Sequence, residues 1–479
     1  MYIKKIITKF ASFFLALFLL AMLFANVNVF AGKETVLHTW CWSFATISKN
    51  MKEISDAGYS AIQVSPIQEC KINKNCEKCK KNGQEYCLCF KDNWYFTYQP
   101  TNFKIGNKYL GTRDEFIKMC QKAKEYDIKI IVDIVANHVS DDLSVVSDEI
   151  KNIPNAFHNN SEITDFGKRN QLTQFNLLKL TDLNTGNSAI QDIIKKYMND
   201  CLGCGAWGFR YDAAKHIELP KEIDGDFGSD FWPNIIKNAE KNGAQFQYGE
   251  ILQDGFANEP ISKFYEYAQF MNVTATKYGE KIRSIIKDRN IHRHNVMNYE
   301  CNEWILDPDK LVTWVESHDN YANSPDFPDS SAWMTDDEIK VGWAIVAGRA
   351  KGTPLFFSRP VGGGGGQGDN RFPEKTKIGD KGSDLFKSPE IVAVNKFRKA
   401  MDGQDEFLRS KGNKILMIER GTKGMIIVNL SNDQNIKTPT RLLDGIYVDS
   451  VSGNEFLAEK GSLRGKTTGQ ISVLTKKAD

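Results

Sequence analysis

"GFRYDAAKH", residues 208–216, reads as a short strand whose far end is crowded with ionisable groups: Arg210, Asp212, Lys215 and His216. Residues two apart on a strand face the same way, so Arg210 and Asp212 point together. A guanidinium beside a carboxylate favours the ionised form and lowers its pKa. Taken alone, the stretch is equally a strand leading into a helix, with a salt bridge at the junction. Its neighbours decide between the two.

From residue 35 to 360, short apolar runs alternate with longer helix-like stretches. The strand candidates are "TVLHTWCWS" (35–43), "SAIQVSP" (60–66), "IKIIVDIVANH" (128–138) and "GFRYDA" (208–213). They continue with "FQYGE" (246–250), "FMNVTAT" (270–276), "LVTWVES" (311–317) and "TPLFFSRP" (353–360). Amphipathic segments such as 113–127 and 188–202 lie between most of them. Eight such runs alternating with helices predict a TIM (β/α)8 barrel. A doubly wound sheet is the other arrangement of this pattern, but no Gly-rich phosphate loop follows the first strand. "VGGGGGQGDN" (361–370) has neither a Walker lysine nor a helix start after it and reads as a loop beyond the eighth strand.

Some forty residues, 139–181, separate strand three from the next helix, too many for a simple turn. They predict a subdomain inserted after strand three, with the barrel spanning 32–138 and 182–398. Beyond residue 398 the pattern changes to short strand-like pieces at 415–421, 424–431, 445–453 and 470–476. These predict a C-terminal all-β sandwich over 399–479.

The first residues are of another kind. Lys4, Lys5 and Lys9 precede "ASFFLALFLLAMLFA" (11–25), and small Ala31 follows before a polar stretch. That order predicts a signal peptide over 1–31 and a secreted, extracellular chain; an uncleaved anchor is the alternative. With 62 basic and 60 acidic residues, the net charge is +2. Nothing in that balance calls for nucleic acid, nor for a membrane surface after cleavage. A monomer is expected. Five of the ten cysteines fall in "CKINKNCEKCKKNGQEYCLC" (70–89). In an exported chain disulfides are the first reading. Cys76-x-x-Cys79 with Cys87-x-Cys89 also offers the four thiolates of a zinc knot, although the second spacing is tight. Cys201-x-x-Cys204 has no thioredoxin-like context.

Barrel chemistry sits where strands end and βα loops begin. Strand three ends in Asn137 and His138, strand four in the group at 210–216, strand five in Glu250, and strand seven is followed by His318 and Asp319. Three carboxylates from three strands therefore meet on one rim. Asp212 has Arg210 beside it, as a nucleophile needs, whereas "QYGEILQ" gives Glu250 no basic neighbour. Glu250 is thus expected to stay protonated longer and act as the acid. Two carboxyls pushed to opposite protonation states suit glycoside hydrolysis.

The motifs "DIVANH" (133–138), "GFRYDAAKH" (208–216), "GE" (249–250) and "WVESHDN" (314–320) resemble, in order, those of the alpha-amylase family, glycoside hydrolase family 13. "LTDLN" (180–184) is similar to that family's short motif near the end of its inserted subdomain. "LVTWVESHDNYAN" and "TPLFFSRP" look like those of secreted bacterial saccharifying alpha-amylases. The resemblance implies Asp212 as nucleophile, Glu250 as general acid/base and Asp319 as the carboxylate that steadies the distorted sugar. It implies that Arg210 orients Asp212, and that His138 and His318 bond sugar hydroxyls. Lys215 and His216 would contact the leaving side, and Tyr98 in "TYQPT" would stack on a glucose ring. Starch-like alpha-glucans are the implied substrates.

A structural Ca²⁺ is implied too, held by Asn137, Asp182, the His216 carbonyl and, as a further carbonyl, Thr173. Such oxygen donors are what Ca²⁺ prefers. Two departures stand out. Chloride-dependent members have asparagine where this chain has Ser317, so chloride is not expected. The cysteine-rich segment is an addition to the family pattern.

Overall fold

The structure is a computed structural model, and the residues it describes are 34–477 except 82, 84, 92, 223–224, 254–260, 324, 367–368 and 432–433. The expected leader, 1–31, lies outside them. Eight strands form a closed, all-parallel barrel: β1 (Val36–Thr39), β2 (Ala61–Val64), β3 (Lys129–Val135), β4 (Gly208–Asp212), β5 (Phe246–Gly249), β6 (Asn272–Thr274), β7 (Leu311–Thr313) and β8 (Thr353–Phe357). Each neighbours the next in chain order, and β8 closes on β1 through Val36 opposite Leu355. The doubly wound alternative is thereby excluded.

A helix follows every strand: α1 (Phe44–Asp56), α2 (Arg113–Glu125), α3 (Ser188–Cys204), α4 (Phe231–Lys241), α5 (Ile261–Tyr267), α6 (Thr276–Lys287), α7 (Asp336–Gly348) and α8 (Pro389–Ala400). Their starts are written in the sequence. Thr112 and Thr335 each close a capping box, with Glu115 and Glu338 reaching back three residues later. Such reciprocal bonds satisfy amide donors that a helix leaves unpaired at its first turn.

Inside the barrel, Val36, Ala61, Ile131, Phe246, Tyr248, Val312, Trp314 and Leu355 pack as one buried cluster. The period of two along a strand then fixes what lies above that floor. Asp133 follows Ile131 on the same face, and Arg210 and Asp212 follow Gly208. Gly208 has no room for a side chain, since a Cβ there would collide with the backbone of Phe246. The apolar floor supports a polar layer.

Two excursions leave the rim. Between β2 and α2, Gln68–Cys70, Pro100–Asn107 and Gly111–Thr112 form a small antiparallel sheet that the sequence reading did not anticipate. Between β3 and α3, His138–Val139 pairs antiparallel with Thr181–Asp182, so the start and end of the 139–181 stretch are laced together. Beyond α8, eight strands from Glu406 to Lys476 form one continuous antiparallel sheet around a second apolar core that includes Met417, Met425, Tyr447 and Phe456. Four of them had no counterpart in the sequence reading: Glu406–Lys411, Gln434–Pro439, Glu455–Glu459 and Ser462–Thr467. They are rich in charged and polar residues; only part of the last three is buried, and no residue of Glu406–Lys411 is. No described helix is long and apolar enough to cross a membrane.

Candidate active site

The polar layer is organised by one buried guanidinium. Asp133 and Arg210 are register partners on β3 and β4. Arg210 Nη1 donates to Asp133 Oδ1 and Oδ2 at 2.8 and 2.7 Å and to Asp212 Oδ1 at 2.7 Å. Its Nη2 lies 2.9 Å from Glu250 Oε2. Charges buried this deeply are tolerated only when paired and hydrogen-bonded. Glu250 also accepts from the Ala213 amide at 2.9 Å. Ala213 takes a left-handed conformation, φ 46°, just after Asp212, an unusual turn for a residue other than glycine. At Gly249 a Cβ would stand 2.7 Å from Met271 Sδ and 3.0 Å from Ala214 Cβ. The glycine lets β5 deliver Glu250 against that turn.

This geometry corrects the electrostatic expectation. In sequence Glu250 has no basic neighbour, yet the fold gives it the same arginine as Asp212. Burial would raise Glu250, but Arg210 and the hydrogen bond from the Ala213 amide outweigh it and hold the carboxyl below its usual range. Burial pushes Asp212 up to about 8, with repulsion from Glu250 and Asp133 adding to it against the pull of Arg210. Burial likewise raises Asp133 to about 6 and lifts Asp319 well above the carboxylate range. Asp319 and Glu250 are hydrogen-bonded. Four carboxyls around one guanidinium cannot all be ionised, so the free site holds shared protons.

The structure brings the expected Tyr98, His138 and His318 to the same place. Tyr98 donates to Asp133 Oδ2 at 3.2 Å, and His318 covers one face of its ring, centroids 5.1 Å apart and planes 11° from parallel. His318 Nε2 is 3.4 Å from Asp319 Oδ2. His138 has both ring nitrogens engaged, Nε2 with the Tyr98 carbonyl at 3.1 Å and Nδ1 with the Asn137 amide at 3.4 Å. Burial holds His138 down at about 4 and His318 at about 3, Arg210 adding to the latter, so both rings are neutral. Lys215 is buried behind the site, its Nζ 3.5 Å from the Leu252 carbonyl. His216 Nδ1 bonds the Leu172 carbonyl at 2.9 Å.

The sequence reading assigned no role to Asp133 or His38, and both belong to this layer. His38 is buried against His318, ring centroids 5.5 Å apart. Asp133 was hidden because it sits inside a run of β-branched residues. Only the register opposite Arg210 exposes its part.

Of the implied calcium ligands, Asn137 and Asp182 fall where the 139–181 stretch is laced to the barrel. Asn137 and Asp182 are both buried, and the Asn137 carbonyl accepts from Leu183 N at 3.0 Å. The Asn137 amide nitrogen is turned to His138, which leaves its Oδ1 as the donor, and Asp182 spends one oxygen on His158 Nδ1 at 2.6 Å. Glu218 acts on Asp182 as a second negative charge. Thr173 lies beside Leu172, whose carbonyl His216 holds. Hard oxygen donors next to two repelling buried carboxyls fit a Ca²⁺ ion.

A family model described as "Alpha amylase, catalytic domain" matches residues 43–283. The chain belongs to the alpha-amylase family. It is 37% identical to an alpha-amylase of Butyrivibrio fibrisolvens, over 93% of this chain and 47% of that one. An alpha-amylase of Clostridium acetobutylicum is also 37% identical, over 91% of this chain and 52% of its own length. The chain thus spans about half the length of the curated relatives it matches. A mutant of alpha-amylase I from Eisenia fetida, solved with maltohexaose, aligns with a TM-score of 0.72 at 19% identity, covering 93% of this chain and 97% of that one. That likeness concerns the fold.

Proposed function

We propose that this chain is a secreted alpha-amylase that hydrolyses internal alpha-1,4 bonds of starch-like glucans with retention of configuration. One observation carries the reading: Asp212, Glu250 and Asp319, from the ends of β4, β5 and β7, meet around Arg210. A retaining mechanism needs two carboxyls roughly 5–5.5 Å apart. Asp212 and Glu250 on the two terminal nitrogens of one guanidinium suit that closeness.

In the first step the Asp212 carboxylate attacks the anomeric carbon, the glycosidic C–O bond breaks, and Glu250 protonates the departing oxygen. In the second, Glu250 takes a proton from water, which attacks the same carbon and releases Asp212. In the free site burial favours the proton on Asp212 and Asp319, and Arg210 favours ionised Glu250. The step therefore requires the shared protons to redistribute within this cluster, leaving Asp212 ionised and Glu250 protonated. Tyr98 and His318 form an apolar and hydrogen-bonding wall for the sugar ring.

The 1–31 leader would export the chain. The barrel would span 32–138 and 182–398, with 139–181 as its inserted subdomain and 399–479 as the sandwich. Ca²⁺ at Asn137, Asp182 and the His216 and Thr173 carbonyls would secure the insert without entering the chemistry. Chloride has no part in this reading. The Ser317 hydroxyl is spent as the N-cap of His318–Ala322, accepting from the Asn320 amide.

Incubation with amylose tests the activity. Viscosity should fall well before free glucose accumulates. Early release of glucose alone would point to an alpha-glucosidase, and transfer products without new reducing ends to a transglycosylase.

A further inference from the structure

The lysine-rich addition between β2 and α2 converges on its own sulfurs. The Sγ atoms of Cys76, Cys79, Cys87 and Cys89 all lie within 4.8 Å of one another. Cys79 Sγ is 3.2 Å from Cys87 Sγ and 3.9 Å from Cys89 Sγ. Four thiolates at about 2.3 Å from one zinc ion stand roughly 3.8 Å apart along every edge of the tetrahedron. Two disulfides would need only two close pairs, with no reason for all four sulfurs to share a centre. Among the described residues the cysteines form no disulfide.

The backbone is shaped for the same end. Cys76 to Cys79 is the Cys-x-x-Cys turn of structural zinc sites, closed by Cys79 N and Lys80 N donating to the Cys76 carbonyl at 3.1 and 3.0 Å. The Cys89 amide points at Cys87 Sγ, 3.4 Å away, a donor suited to a sulfur carrying negative charge. Cys79 and Cys87 are buried, and Cys76 and Cys89 are half-buried. Lys81 and Lys91 flank the two pairs in sequence, a cationic setting for a tetrathiolate centre.

We propose that Cys76, Cys79, Cys87 and Cys89 bind one structural Zn²⁺. Soft thiolates in a closed tetrahedral set select zinc over the hard cations that suit the oxygen site. The ion would knot a segment that borders the cleft. Cys87 N donates to the Asn73 carbonyl at 2.9 Å, and Ile378 N and Phe90 N stitch 88–90 to 376–378, beyond β8. Immediately after, Trp94 N bonds the Phe90 carbonyl and begins the turn Trp94–Tyr98, which carries Tyr98 to Asp133 and His318.

The test is metal analysis of the full chain, purified without chelator or added zinc. About one zinc per chain is expected, lost in Cys79→Ser and Cys87→Ser and kept in Cys201→Ser, whose cysteine is buried in α3. Should the first two variants fail to fold, cobalt exchange into the wild type answers instead. It should give the intense thiolate-to-metal absorption and visible bands of tetrahedral cobalt. A folded, zinc-free chain whose peptide map links these four cysteines in disulfides would overturn the proposal. So would zinc retained in full by both serine variants, or exchanged cobalt without the thiolate band.

Discussion

At the scale of single residues, the site is one cation shared by four acids. Asp133 competes for Arg210 and repels Asp212, so its charge keeps the shared protons on the cluster. Asp133→Asn removes that repulsion and frees part of the guanidinium, and both effects lower the pKa values of the remaining carboxyls. The two limbs of a kcat/KM profile report the coupled titrations of the free site's carboxyls. Both limbs should therefore move to lower pH, by about one unit. A profile that stays in place would mean that Asp133 is only a structural partner of Arg210. The three acids at the strand ends were legible in the sequence because each follows an apolar run. The Arg210–Glu250 contact was not, because residues on different strands meet through a register that no single strand records.

At the scale of elements, all eight barrel strands could be read from their apolar runs, each paired segment lying inside a longer run. The polar C-terminal strands could not, because they lack an apolar run: Glu406–Lys411 buries no residue, and charged or polar side chains interrupt the other three. The 139–181 stretch is held by a two-residue ladder, His138–Val139 with Thr181–Asp182, by the buried Arg169–Glu222 pair, and by the oxygen donors beside the ladder. A ligand that binds only the folded form stabilises it by mass action. Chelating Ca²⁺ should lower the melting temperature and speed proteolysis within 139–181, and added Ca²⁺ should reverse both. Unchanged melting after complete removal would discard the calcium reading.

At the scale of the whole molecule, the C-terminal sheet is fastened to the barrel at the end of α7. Gly348 faces Ile418 and Ile426, where a Cβ would stand 2.9 Å from Ile426 Cδ1. Arg420 lies across the same junction, donating to the carbonyls of Gly348, Arg349 and Met401. Arg349 in turn pairs with Glu406 at 2.8 Å. Gly348→Leu should overpack this seam and cost about 1–3 kcal/mol, read as a lower urea midpoint. The kcat of the folded enzyme should hold, because the seam is remote from Arg210. A fall in kcat at unchanged stability would show that the two domains are coupled through catalysis.

Retention of configuration is the claim on which the roles of Asp212 and Glu250 both rest. Proton magnetic resonance of a short linear alpha-1,4-glucan, followed from the first moments of hydrolysis, tests it directly. Two successive displacements at one carbon should release the alpha anomer first, with the beta anomer growing in only as the new reducing end mutarotates. Initial release of the beta anomer would mean a single displacement by water, and Asp212 would not be the nucleophile.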